Sequence, residues 1–192
     1  MDARQAIEQY KGIYRGMYGH NPPEKCVEEF CRINKISWPL EREEKKMIDA
    51  DIYLDVDGVL FTTEGGIFEL RDGFIGFLYF LTENFVNCYW LTCWEDSFNE
   101  VLKKVYAGKI AAKFKWASWN HGNKNGKATG IQDWSRPFVW IEDGISEREM
   151  EVLKEHGCEG NYIHVPYKGE MHKLYEIKDE LKRRFGLAET ED

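Results

Sequence analysis

Four short apolar runs constrain this chain more than any other feature: Ile52 to Val56, Phe85 to Leu91, Phe138 to Ile141 and Tyr162 to Val165. Runs this short and this continuous suit the strands of a parallel sheet that is covered on both faces. Helical patterns lie between them. Asp72 to Asn84 is rich in aromatic and aliphatic residues, and Glu95 to Tyr106 is amphipathic. Ser146 to His156 opens with Ser146 and has Glu149 three residues later, which is a capping box. Glu170 to Phe185 places Met171, Leu174, Ile177, Leu181 and Phe185 on one face and stops at Gly186. Strands alternating with helices imply right-handed βαβ units. The expected fold is therefore α/β: a Rossmann-like, three-layer α/β/α arrangement with a mainly parallel sheet.

The first 48 residues have a different rhythm. One helix is expected from Ala3 to Met17. Gly19-His20-Asn21-Pro22-Pro23 ends it, and a second starts near Pro23 with Val27, Phe30 and Cys31 on one face. The expected organisation is an N-terminal helical extension at 1–48, a catalytic domain at 49–188 and a flexible tail at 189–192. A length of 192 residues is enough for one domain with a full core. The five cysteines include no Cys-x-x-Cys pair, which points to reduced thiols in a cytoplasmic protein. No window approaches the ~18 apolar residues of a membrane span, so a soluble chain with no membrane partner is expected. A net charge of −8 argues against binding a polyanion through the whole surface, and leaves room for a local basic cleft.

In open parallel sheets the ligand lies beyond the carboxyl ends of the strands, so the polar residues there are the ones to inspect. The first run leads into Asp55-Val56-Asp57-Gly58-Val59, the second into Thr92, and the third into Glu142-Asp143-Gly144. Carboxylates from separate strands meeting at one edge repel each other unless a cation lies between them. Hard oxygen donors favour magnesium. Gly58 allows a sharp turn, so Asp55 can point into a site while Asp57 sits above it. Two carboxylates at one reacting centre can divide the work, one attacking and one moving protons.

Leu54-Asp55-Val56-Asp57-Gly58-Val59-Leu60 resembles the first motif of the haloacid dehalogenase (HAD) superfamily. Trp90-Leu91-Thr92 resembles its second motif, and Arg136 to Asp143 its fourth. The resemblance spans roughly residues 50–168. It implies a HAD-like phosphohydrolase in which Asp55 attacks phosphorus to give an aspartyl-phosphate. Asp57 then acts as general acid and base. Asp55 and Asp143, with the backbone carbonyl of Asp57, would hold Mg2+. Thr92 would bind a phosphoryl oxygen. The third-motif lysine is expected to be Lys127, with Lys124 as the rival. Glu142 stands where a second aspartate is commoner; it would ligate the metal, directly or through water, or hold Lys127. Thr92, Cys93, Trp94, Lys124 and Gly58 are the candidate substrate-binding residues.

No large cap domain fits between these motifs. The first gap holds only a short flap, Thr62 to Leu70, with Gly65-Gly66 as its turn. Such capless relatives often act on macromolecular phosphoesters. The expected partner is thus a phosphorylated substrate, either a small molecule or a macromolecule, and nucleic acid stays open. Lys113 to Lys124 interleaves basic residues with Trp116 and Trp119, a pattern that suits base stacking or, alternatively, a pocket rim. His121 lies in that loop. The histidines form no site of their own, and no Ser-His-Asp set or P-loop is visible. The leading function is a Mg-dependent phosphomonoesterase. The alternatives are a nucleic-acid-end phosphatase or phosphotransferase using the same chemistry, or a non-catalytic phosphate- or partner-binding module. The oligomeric state is not legible.

Overall fold

The computed structural model describes residues 2–36, 46–64, 67–94, 113–166 and 172–187. The expected helix at Glu95 to Tyr106, the Gly65-Gly66 turn and the tail at 189–192 lie outside them. Contacts divide the chain into two units, Met1–Lys46 and Met47–Asp192.

The first unit is a pair of helices, α1 (Ala3–Tyr18) and α2 (Glu24–Ile33). Asp2 caps α1 through a reciprocal capping box with Gln5. Its buried core is small: Ile7, Val27 and Cys31, with Tyr10 stacked on Phe30 at 4.4 Å between ring centroids.

The second unit is built on five parallel strands in the order β5-β4-β1-β6-β7. These are β1 (Ile48–Leu54), β4 (Phe85–Trp90), β5 (Lys115–Trp116), β6 (Phe138–Glu142) and β7 (Tyr162–His164). Between β1 and β4 come an antiparallel hairpin, β2 (Phe61–Glu64) and β3 (Ile67–Leu70), and the helix α3 (Phe74–Asn84). Helix α4 (Glu147–Glu155) links β6 to β7, and α5 (Lys173–Phe185) follows β7. The two-residue strand β5 was not expected from the sequence. Lys115 and Trp116 are both exposed, so this edge pair carries no apolar run to mark it.

Strand periodicity sorts the core into two layers. Ile52, Leu54, Cys88, Trp90, Val139 and Ile141 face one side, where they meet Phe77, Leu78 and Leu81 of α3 and Leu174, Ile177 and Leu181 of α5. Full burial of each such side chain stabilises the fold by about 1.5–3 kcal/mol. Tyr53, Tyr89, Leu91, Phe138 and Trp140 face the other side, against Ala128, Ile131 and the α4 residues Val152 and Leu153. By the same alternation, Asp55 extends the row of Tyr53 and Glu142 that of Trp140, so both carboxylates fall on the second face.

The sheet runs outward in both directions from β1, which lies between β4 and β6. The chain goes from β1 out to β4 and β5 and then returns to β6 on the other flank of β1, which makes the carboxyl end of β1 a topological switch point, where open parallel sheets bind ligands. The ladder continues to the strand tips. Asp55 N–H donates to the Ile141 carbonyl at 3.0 Å, and Leu91 N–H donates to the Leu54 carbonyl at 2.9 Å. The residues just beyond β1, β4 and β6 are consequently neighbours.

Candidate functional site

Three carboxylates meet at or just beyond the carboxyl ends of β1 and β6. Asp55, Glu142 and Asp143 each offer an oxygen, and the three oxygens lie within 4.8 Å of one another. Asp55 and Glu142 are almost completely buried, at 3% and 2% exposure. Charges of one sign are not gathered in a dry place without compensation. Part of it comes from Lys127, whose Nζ lies 3.0 Å from Asp55 Oδ1 and donates to Glu142 Oε2 at 2.7 Å. Burial alone would depress this ammonium, but Asp55 and Glu142 outweigh it and hold Lys127 above the ordinary lysine range. Burial, then the Asp55 charge, pushes the Glu142 carboxyl far above the usual carboxylate range, against the pull of Lys127.

In their ionised forms, three carboxylates and one ammonium leave two negative charges. Asp55 Oδ1 is buried and meets Lys127 Nζ at 3.0 Å as an ion pair without hydrogen-bond alignment. A buried carboxylate oxygen with capacity to spare, three carboxyl groups to one ammonium and an all-oxygen donor set fit a hard divalent cation such as Mg2+.

Backbone geometry brings these groups together. Gly58 has φ +73°, a conformation that L side chains rarely adopt, and a Cβ there would overlap the Asp143 carboxylate. The turn after β1 can therefore lie against the tip of β6 only with glycine at this position. The Gly58 carbonyl accepts from Arg71 at 2.8 Å, and Arg71 also donates to the Pro166 carbonyl at 2.5 Å. Arg71, only 1% exposed, thus ties the loop after β1 to the segment after β7. Lys127 is set from below. Its backbone N–H donates to Glu149 Oε1 at 2.7 Å, while Glu149 Oε2 accepts from the Ser146 N–H and hydroxyl at 2.7 and 2.8 Å. The capping box of α4 therefore also fixes the short 3-10 turn Gly126–Gly130 that carries the lysine. His164 Nε2 lies 2.9 Å from the Asp143 carbonyl.

The other residues singled out from sequence fall as follows. Asp57 lies in the turn after β1, half-buried, and forms an isolated bridge with Phe61. Its carboxylate stands outside the group of three; the metal role expected of it runs through its backbone carbonyl. Thr92 is buried, and its hydroxyl oxygen accepts from the Trp94 N–H at 3.2 Å, which leaves the hydroxyl proton to donate. Cys93 is exposed and Trp94 half-buried beside it. Lys124 is exposed on the loop before Lys127, and the structure brings Lys127, not Lys124, onto Asp55 and Glu142.

Sequence reasoning missed Arg71 and the second task of Glu149. Nothing local distinguishes a buried arginine after a strand from a solvated one. Glu149 was visible as a cap, but its bond to Lys127 spans 22 residues. No helix among the described residues is long and apolar enough to cross a membrane. No protein-family model matches the chain, and no curated protein matches it.

Proposed function

We propose that this chain is a Mg-dependent phosphomonoesterase of the HAD type, working through an aspartyl-phosphate on Asp55. The observation that carries the reading is the convergence of buried Asp55 and Glu142 with part-buried Asp143 and Lys127 at the switch point of a parallel sheet.

The chemistry follows from the residues. Asp55 attacks phosphorus in line; its carboxylate oxygen forms the new P–O bond as the bond to the alcohol oxygen breaks. Asp57, half-exposed in the turn above, supplies the proton to that departing oxygen. Deprotonated Asp57 then takes a proton from water as the water oxygen attacks phosphorus, which releases inorganic phosphate and restores Asp55. Lys127 keeps the nucleophile in place and offsets charge on the phosphoryl oxygens. Thr92 donates its hydroxyl proton to one of them. Asp55 and Asp143, with the Asp57 carbonyl and with Glu142 next to them, would hold the cation; when bound, it neutralises the repulsion between carboxylate and phosphate. Glu142 holds Lys127 through a direct bond, and that bond supports the positioning role for this residue.

A generic aryl phosphate with magnesium tests this. Turnover is expected in the wild type, abolished by chelation and by Asp55→Asn. Full activity in the presence of a chelator would exclude the metal role. Unchanged activity in Asp55→Asn would exclude the nucleophile.

A further inference from the structure

The loop between β5 and Lys127 ends in a stacked ring pair that the phosphoryl chemistry does not use. Trp119 and His121 lie face to face, with centroids 3.8 Å apart and planes within 28°. Trp119 is tethered to the site, because its Nε1–H donates to the Thr92 carbonyl at 3.0 Å. Gly130 lets it settle there: a Cβ at that position would press on Leu91 and stand 3.3 Å from Trp119 Cβ.

The loop tip is pinned by its own side chains. Asn120 N–H donates to Thr129 Oγ1 at 3.1 Å, Gly122 N–H to Asn120 Oδ1 at 3.0 Å, and Asn125 N–H to Asn123 Oδ1 at 2.9 Å. The ring pair is therefore joined at one end to Thr92 and at the other, through Thr129 and the 3-10 turn, to Lys127. Indole covers one face of His121, and the residue is otherwise exposed, with Lys124 also exposed three positions on. An outward aromatic face on a pinned support, next to groups suited to a phosphoryl oxygen, is built to stack a flat ring carried by the same ligand. With a net charge of −8, the chain suits a single nucleotide unit better than a long polyanion.

We propose that this loop tip is a base platform: the site takes a phosphomonoester whose alcohol bears a heteroaromatic ring, as in a nucleoside 5′-monophosphate, with that ring stacked on His121. The proposal rests on the phosphomonoesterase reading, and the test separates the two. Adenosine 5′-monophosphate and ribose 5-phosphate carry the same ester on the same sugar and differ in the base alone. The ratio of their kcat/KM values should exceed about 5 in the wild type, within the usual range for one base–aromatic stack. It should fall toward one in His121→Ala and persist in His121→Phe, which keeps a flat ring. A ratio near one in the wild type, a ratio unmoved by His121→Ala, or loss of the preference in His121→Phe would overturn the platform. If neither ester is hydrolysed, the aryl phosphate decides the phosphatase reading, and binding decides the platform alone. Saturable quenching of tryptophan emission by the nucleotide but not by ribose 5-phosphate, weakened in His121→Ala, would sustain it, and equal or absent quenching would overturn it.

Discussion

Arg71 illustrates how one side chain can set a site it does not enter. Its guanidinium donates to two carbonyls from loops that are distant in sequence, and it is almost wholly buried. Arg71→Met should leave the buried Gly58 carbonyl without its donor, at about 1–3 kcal/mol, and the part-buried Pro166 carbonyl at less. Urea denaturation should show a loss of stability of that order. Arg71→Lys should recover only part of it, because both bonds leave Nη2 and the ammonium of the shorter lysine chain ends before that position. A variant as stable as the wild type would show that the buried clamp is dispensable. Little of this was legible beforehand. Asp55, Asp57, Thr92 and Asp143 stood out because each ends or follows an apolar run. Arg71 has no such marker, since one of the carbonyls it binds lies 95 residues away at Pro166.

At the scale of elements, the start of α4 does two things. Ser146 and Glu149 cap the helix, and Glu149 reaches back to hold the turn that carries Lys127. Glu149→Ala keeps the Ser146 cap on the N–H of residue 149 but removes the acceptor for the Ser146 N–H and hydroxyl, at about 1–2 kcal/mol of stability, and should also lower kcat as Lys127 loses its anchor. Glu149→Gln keeps a single acceptor oxygen and can serve only one side: with that oxygen toward Ser146 the helix start should hold, while the amide NH2 would face the Lys127 N–H and kcat should still fall. If Glu149→Ala lost stability without any change in turnover, the link to Lys127 would be structural only. The capping box was readable from a Ser and a Glu three residues apart. The bond to Lys127 was not, because it depends on how the α4 face of the sheet closes over the 3-10 turn. The edge strand β5 was hidden for a related reason: two exposed residues pair with β4 by backbone alone.

Over the whole chain, stability should be uneven. The sheet unit buries two large clusters on opposite faces, whereas the helical pair buries Ile7, Val27 and Cys31. Amide exchange should be slowest in β1, β4 and β6 and much faster in α1 and α2, because local opening follows the amount of apolar burial. Equal protection in both would contradict this. The alternation of apolar runs and helices made the parallel α/β sheet legible, because its central strands are buried on both faces. The position of β1 between β4 and β6 could not be read from local pattern, since strand order depends on which loops cross which face. A cation held by the three carboxylates should also raise the thermal midpoint with its concentration, through binding to the folded state alone. Asp143→Asn should blunt that rise; an equal rise in wild type and variant would place the binding elsewhere.

The central claim is covalent: phosphorus passes through the side chain at position 55. Acid quenching during turnover of a phosphomonoester with magnesium, followed by mass spectrometry of the digested protein, addresses it most directly. The expected result is a phosphoryl adduct on the peptide containing Asp55, released by hydroxylamine and missing from Asp55→Asn. Steady hydrolysis with no adduct, or an adduct on another residue, would contradict the account.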